Sequence, residues 1–398
     1  MIKYYLNHLQ NESGVALVAG LVIMVLLTAI GTYAIHVTEI DETIAGNLKA
    51  SKQAFYLADA GLQWGKAHVR NSTTMPPETA GSSFTRTLDS GTMTIAFPAQ
   101  DPPAGIAMQY TVAIRAIGTI GKATRTIDAL VTKTYALSDA PIALRGVEAN
   151  SGFTGNAFEI DGHDYFYNPD TSSWQMSSTV SFGVSVPNST LQTQVVDALS
   201  SQQQNNIMGL GGTPSVGIST SFPSDAITSL ANALCDATPP GSQTTIDLSQ
   251  TLSMNGNTTW GNRTAPQIHC VTGSGTASNP AILDIGGTFS GAGILVVRNA
   301  QLVASGAFHY EGLIINSGSD VGVRIQGGGN KEIYGAVMIN ELNHDTQLEV
   351  QAAGAVKVRS SNSALAMASQ LFSWQAWQTL LPVAPTEVQE RSWREVSQ

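Results

Sequence analysis

The chain has 398 residues, 42% hydrophobic and only 12% charged, so it can bury more than one core but carries few of the charges that dress solvent-facing helices and enzyme surfaces. Its formal net charge of -10, with no run of Lys and Arg anywhere, argues against nucleic acid as a partner, because phosphate binding needs clustered cations. The 38 glycines and the abundance of Ser, Thr and Asn predict that most of the mass is strand and turn.

From Val15 to Val37 the sequence reads VALVAGLVIMVLLTAIGTYAIHV, without Asp, Glu, Lys or Arg. A helix of that length crosses a hydrocarbon layer of about 30 Å. Lys3 precedes the run and Glu39, Asp41 and Glu42 follow it, which favours a cytoplasmic N-terminus. A cleaved secretory signal is the alternative, but its apolar region is normally about 7 to 15 residues. Ile40, Ile44, Leu48, Phe55, Leu62 and Val69 then recur at helical spacing on one face. With no proline between, the pattern predicts one helix over 15–70, roughly 80 Å long, whose distal half needs a packing partner outside the membrane.

Glu12-Ser13-Gly14, directly before Val15-Ala16-Leu17-Val18, resembles a class III leader, a short polar peptide ending in Gly and cut on the cytoplasmic side of the apolar helix. The stretch TEIDETIAGNLKASKQAFYLADAGLQWGKAHV, from Thr38 to Val69, is similar to the N-terminal domain of minor pilins of the PilX type, and the resemblance covers about residues 11–70. It implies cleavage between Gly14 and Val15 by a prepilin peptidase, methylation of the new N-terminal Val15, and contact with other pilins through the helix. The implied location is the bacterial inner membrane and then an extracellular type IV pilus. Ala19 stands at the fifth mature position, where major pilins carry Glu. That departure points to a minor, priming or tip-associated subunit instead of bulk fibre.

After the loop TTMPPETAGS, the triplets Met93, Ile95, Phe97, then Tyr110, Val112, Ile114, then Ile127, Ala129, Val131 alternate with polar or small residues. They predict three antiparallel strands covering the apolar stripe of the helix, the last two joined through Gly118-Thr-Ile-Gly121. Arg115, Lys122, Arg125 and Lys133 read as solvated strand faces, with an anion-binding patch as the alternative.

The second half repeats itself. Gly293-Ile-Leu-Val-Val with Asn299, Gly312-Leu-Ile-Ile-Asn316 and Gly335-Ala-Val-Met-Ile-Asn340 recur at about 20 residues. A second strand type interleaves: Leu283-Asp-Ile-Gly-Gly287, Leu302-Val-Ala-Ser-Gly306, Val323-Arg-Ile-Gln-Gly327 and Leu348-Glu-Val-Gln-Ala352. Such a period, with Gly and Asn at the corners, predicts a parallel β-helix. Gly155-Asn-Ala-Phe-Glu-Ile-Asp-Gly162 has the same character and is expected to supply the first coil. An insertion over about 165–265 follows it, with short helices at Leu191–Gln204 and Ser224–Cys235. Cys235 and Cys270 form no metal-like cluster, so a disulfide that staples the insertion to the first regular coil is the better use, with two buried free thiols as the alternative. The apolar spacing of Leu365, Leu371, Phe372 and Leu380 predicts a C-terminal helix that caps an open end of the solenoid.

The expected fold class is therefore an α+β pilin-like module, a long N-terminal helix plus a small antiparallel sheet, followed by an all-β parallel β-helix or solenoid. Its expected segments are a leader at 1–14, an assembly helix at 15–37 continuing amphipathically through 38–72, a sheet at 73–135, a solenoid at 136–363, and a helical tail at 364–398. Glu159, Asp161, His163 and Asp164 offer a paired-carboxylate or metal pattern on a fold that often hosts carbohydrate-active enzymes, with a polar turn leading into the solenoid as the plainer reading. No second carboxylate cluster accompanies it beyond the isolated Asp284. The GxSxG elbow and a phosphate loop at Gly327-Gly-Gly329 are likewise missing. The expectation is a structural subunit with no catalytic, cofactor-binding or metal-binding residues, whose solenoid contacts a partner, a surface or a glycan. A carbohydrate-active enzyme and a signal-anchored envelope scaffold are the alternatives.

Overall fold

The computed structural model describes residues 2–72, 81–88, 91–98, 109–146, 149–236, 243–276, 279–343, 346–351, 355–380 and 386–396, with side chains of the first helix from Ala16 onward. Helix α1 runs Ile2–Asn71 without a break, as the absence of proline predicts. Antiparallel strands β1 (Ser83–Leu88), β2 (Gly91–Ala96), β3 (Gln109–Ile120) and β4 (Ala123–Tyr135) lie side by side in that order. Met93, Ile95, Phe97, Val112, Ile114, Ile127, Ala129 and Val131 all point at α1 and form one core with its Ala58, Leu62 and Val69. Each large side chain among them contributes about 1.5–3 kcal/mol through burial. The side chain of Tyr110 and residues 73–80 of the preceding loop fall outside the described residues.

Two details differ from the sequence reading. Gly118 is not in the turn, which is made by Gly121 and Lys122; it lies inside β3, where an added Cβ would collide with the Ala54 carbonyl and the Ala58 amide of α1. Glycine at this position lets helix and sheet approach closely. Second, the apolar stripe of α1 is covered only from Ala54 onward, while Ile40, Ile44 and Leu48 remain 57%, 58% and 56% exposed.

Beyond β4 the chain enters a parallel solenoid with three faces. Its first strands are β5 (Ile142–Arg145), β6 (Ala149–Thr154) and β7 (Phe158–Asp161), followed by a two-stranded hairpin, β8 (His163–Asn168) and β9 (Ser173–Val180). Next come β10 (Val184–Val186), which pairs with β5, α2 (Ser189–Asp197), which packs on β6, β11 (Ile207–Met208), which pairs with β7, and β12 (Val216–Ile218), which pairs with β10. Asn188 caps α2 by accepting from the Leu191 amide. Helix α3 (Ser224–Cys235) then crosses the outside of the solenoid to its other end, where Cys235 bonds to Cys270.

From there the chain winds back. The end coil is β13 (Gln243–Leu248), β14 (Thr251–Met254) and β15 (Asn257–Trp260). It is followed by β16 (Gln267–Gly273), β17 (Ala281–Ile285), β18 (Thr288–Arg298), β19 (Ala300–Ala304), β20 (Ala307–Gly318), β21 (Gly322–Ile325), β22 (Lys331–Glu341), β23 (Thr346–Gln351) and β24 (Val356–Ser360). Leu283, Leu302, Val323 and Leu348 stand in one ladder, as the repeat alignment predicts. Gly293, Gly312 and Gly335 form another at the corner inside the long strands, with φ of 120°, 130° and 136°. At each, a Cβ would strike the carbonyl of the coil below, so glycine there serves both the backbone turn and the stacking.

The segment expected to supply the first coil takes a different place. β5, β6 and β7 stack on β22, β23 and β24, the last coil of the winding, and not before β13. The apolar runs of the repeat also have a reason. Leu295, Val297, Ile314 and Val337 fill the solenoid, while Ile294, Val296, Leu313, Ile315 and Met338 on the opposite side join the core of the helix-and-sheet module. A strand covered on both faces loses the polar alternation. That outer side is covered by α3, α4 (Asn362–Ser369) and α5 (Trp374–Leu380). The tail therefore does not cap an end; Leu365, Phe372 and Leu380 pack along the flank. It finishes as β25 (Thr386–Val396), antiparallel to β4, the fifth strand of the first sheet. The solenoid is thus inserted between two neighbouring strands of the helix-bound sheet.

Candidate functional site

Helix α1 has two halves with different surroundings. From Leu17 (74% exposed) to Ile35 (63%), its large apolar side chains stand exposed, and the segment is long and apolar enough to cross a membrane. Its threonine hydroxyls are satisfied internally: Thr28, Thr32 and Thr38 donate to the carbonyls of Met24, Thr28 and Ala34 at 2.8–2.9 Å. No polar group of these three threonines is left to oppose an apolar environment. Glu12, Gly14 and Val15 lie in the helix, but the surroundings of their side chains are outside what the structure describes.

The distal half is clamped to the head. Arg125 of β4 donates to Ser51 at 2.8 and 2.6 Å and pairs with Glu395 of β25 at 3.1 Å, and Lys66 of α1 pairs with Glu390 of β25. The strand added from the far end of the chain is thus tied to both the sheet and the helix. Arg115 and Asp128 form a two-toothed pair across β3 and β4 at 2.7 and 2.8 Å. The hydrogen bond and charge of Arg115 hold the Asp128 carboxyl below its ordinary range.

Lys133 does not sit on a solvated face. Its side chain is fully buried, and Nζ donates to the carbonyls of Val69, Arg70 and Ser72 at 2.7, 3.0 and 2.6 Å, closing the C-terminus of α1. Burial pushes its amine down to about 8. The missed signal was parity: Lys133 has the same strand phase as Ile127, Ala129, Val131 and Tyr135, the residues that face the helix.

The EIDGHD residues are brought near one another but engaged in separate bonds. Glu159 accepts from Arg359 at 2.6 Å. Asp161 is 2% exposed, pairs with His163 at 2.7 Å and accepts from the Tyr165 hydroxyl at 2.9 Å. Asp164 accepts from the Asn362 amide at 2.7 Å, at the start of α4, and from Ser177 at 3.2 Å. These contacts fasten β7, β8 and β9 to β24 and α4. Gly327-Gly-Gly329 is a corner whose first two carbonyls accept from the buried Lys331 amine at 2.8 and 2.7 Å. Among the described residues, no group of His, Cys, Asp and Glu is arranged to hold a metal ion.

Cys270 points out of the solenoid to Cys235, and its neighbour His269 points in, as strand alternation requires. His269 is 5% exposed and lies flat on Trp260 with ring centres 4.5 Å apart; burial pulls its imidazole down to about 4.

Comparison with known proteins bears on the first of these regions. Residues 13–63 match the family model described as PilX N-terminal. A search of curated proteins finds no match. Among solved structures, the competence-associated pilin ComZ from Thermus thermophilus aligns over 87% of this chain and 98% of its own at 15% identity, with a TM-score of 0.26. The chain therefore has a PilX-type N-terminal segment and is type IV pilin-like there, with a long helix, an antiparallel sheet and a parallel β domain beyond.

Proposed function

We propose that the protein is a minor-pilin-like structural subunit, anchored in the bacterial inner membrane by α1 and taken into a type IV pilus through the same helix. A prepilin peptidase removes the leader after Gly14, Val15 becomes the methylated N-terminus, and the solenoid is carried outside to meet a partner or surface. The role is structural and not catalytic. One observation carries this reading: α1 extends well past the head, and its stripe at Ile40, Ile44 and Leu48 is left bare although it is as apolar as the part covered from Ala54 onward. A stripe of that kind is expected to be covered by like helices in a fibre. Ala19, in place of the Glu of major pilins, supports a minor role.

The test is to shear pili from cells with and without prepilin peptidase and to sequence the N-terminus of this protein in each fraction. The expected result is a peptidase-dependent start at Val15 and recovery in the sheared fibres. Protein that keeps Met1 and stays wholly in the membrane would overturn the proposal in favour of an envelope scaffold.

A further inference from the structure

The two ends of the solenoid are finished differently. At the end built from β5, β6 and β7, helix α2 packs on β6, β10 and β12, and side-chain amides terminate the backbone. Gln194 Oε1 accepts from the Ala149 amide at 2.8 Å, at the first residue of β6, and Gln203 Nε2 donates to the carbonyls of Phe153 and Gly155 at 3.0 Å, at the far end of that strand. Gln192 does the same for the Val216 carbonyl of β12 at 2.6 Å. Backbone groups bonded in this way no longer offer a template for a further strand.

The end coil, β13 to β15, lacks such a finish. Each of its strands pairs on one side, β13 with β16, β14 with β17 and β15 with β18, and no described strand pairs on the other. Leu248 and Met254 turn their carbonyls to the coil above, where the amides of Ser274 and Gly286 donate to them at 2.8 and 3.0 Å. Backbone groups alternate in direction along a strand, so Thr245 and Asp247 of β13 and Ser253 of β14 turn theirs to the free side. The core is cut off there as well. Ile246, Leu252 and Met254 belong to it but are only half-buried, whereas Val271, Leu283 and Ile285, one coil further in on the same ladders, are 0%, 0% and 1% exposed. One more coil would complete the burial.

Shape and charge select what covers this end. A single added strand would pair with one edge and leave the apolar centre open, because Ile246 lies on one face of the solenoid and Leu252 and Met254 on another. The body that fits all three edges at once is the end of another three-sided coil of the same dimensions, and this chain supplies one. Identical surfaces meet only where their charges do not oppose each other. From Gln243 to Trp260 the one charged residue is Asp247, and the Lys and Pro that blunt exposed edges elsewhere are missing. The opposite end offers no free coil, since α2 occupies the place beyond β6. Like ends therefore meet, a two-fold contact that closes at two copies instead of growing into a filament.

We propose that two copies of this protein dock end to end through the coil of β13, β14 and β15, with Ile246, Leu252 and Met254 of each covered by the other. The two-fold sets the strands of one end antiparallel to those of the other. A single coil is smaller than the roughly 20–30 residues a side of a standard interface, so the dimer is expected to be of micromolar strength. The contact joins the solenoids and uses no part of α1. It goes beyond the pilin-like reading and does not rest on it.

The experiment is sedimentation equilibrium of the purified full chain in density-matched detergent over about 1–200 μM, with hydrogen exchange read by mass spectrometry at both ends of that range. A monomer–dimer equilibrium with a Kd below about 100 μM is expected, with slower exchange in 243–260 at the higher concentration. Leu252→Lys keeps its charge in water at the open end of a monomer but buries it unpaired in the dimer, so it should raise Kd by at least about tenfold. Ser253→Pro removes a free-side amide that the monomer does not use and should weaken the dimer about threefold or more, which keeps the test open should the lysine unsettle the end coil. Ile218→Lys, exposed in β12 at the opposite end, should change nothing. A monomer throughout, growth beyond two copies that Ile218→Lys stops, or a dimer indifferent to both end-coil variants, and so formed through α1 or another surface, overturns the proposal. Because no pili are involved, failure here leaves the fibre test untouched.

Discussion

The two β regions of this molecule are held together differently. The antiparallel sheet on α1 has one wet and one dry face: β2 alternates buried and half-buried residues along its whole length, and its stability comes from what α1 covers. The solenoid is covered inside by its own residues and, on one flank, outside by three helices. Its coils depend on their neighbours for both hydrogen bonds and packing. A fault in the first region is therefore local to the helix–sheet seam, whereas a fault at a coil corner is passed to the coils on either side.

The largest expected effect tests that propagation. Gly312→Val places a side chain at φ 130° against the Gly293 carbonyl, in the middle of the glycine ladder, and should cost at least about 4 kcal/mol. Hydrogen exchange read by mass spectrometry should show loss of protection across 288–341 while peptides from 109–135 stay slow. Equal loss in both would mean that the two regions unfold as one unit.

Acid should separate them next. His269 is held near 4 in the folded solenoid against about 6.5 unfolded, so the unfolded chain binds more protons between those values. Its contribution is level above pH 6.5 and falls as pH drops toward 4, by about 3 kcal/mol in all. Wild type should lose stability relative to His269→Phe over that window, first in the coils around Trp260. Parallel melting curves for the two proteins would refute it.

The smallest effect belongs to the seam. Lys133→Met removes three bonds to the end of α1 and should cost about 2 kcal/mol at neutral pH, seen as faster exchange of residues 60–72. Because the amine sits near 8 when folded and about 10.5 unfolded, the unfolded chain holds more protons between these values. The wild-type protein should therefore gain stability relative to the variant as pH rises from 8 to 10.5, and a constant difference would count against the buried, proton-linked amine.

Strand phase and helical spacing were enough to place Met93, Ile95, Ile114 and Val131 on α1 and to align Leu283, Leu302, Val323 and Leu348 in one ladder, because a period of two or of one coil is a local property. Phase also held the answer for Lys133, where residue type overrode it. Nothing local marked the pairing of Arg263 with Glu311, two residues on different turns of the solenoid, so this contact could not be read in advance.

The extended helix, its apolar exposed half and the repeating coils were determined by the sequence alone, since each follows from neighbours along the chain or from a short repeat. The tertiary structure alone decided that β25 returns to β4, that β5, β6 and β7 stack on the last coil, and that the tail lies on the flank and not the end. The physical reason is that strand pairing uses backbone groups common to every residue, so any free edge accepts a strand of suitable length. The choice among edges is made by what else must be buried or paired: the disulfide at the end of α3, the apolar flank under α4 and α5, and the ion pairs that hold β25 to α1 and β4.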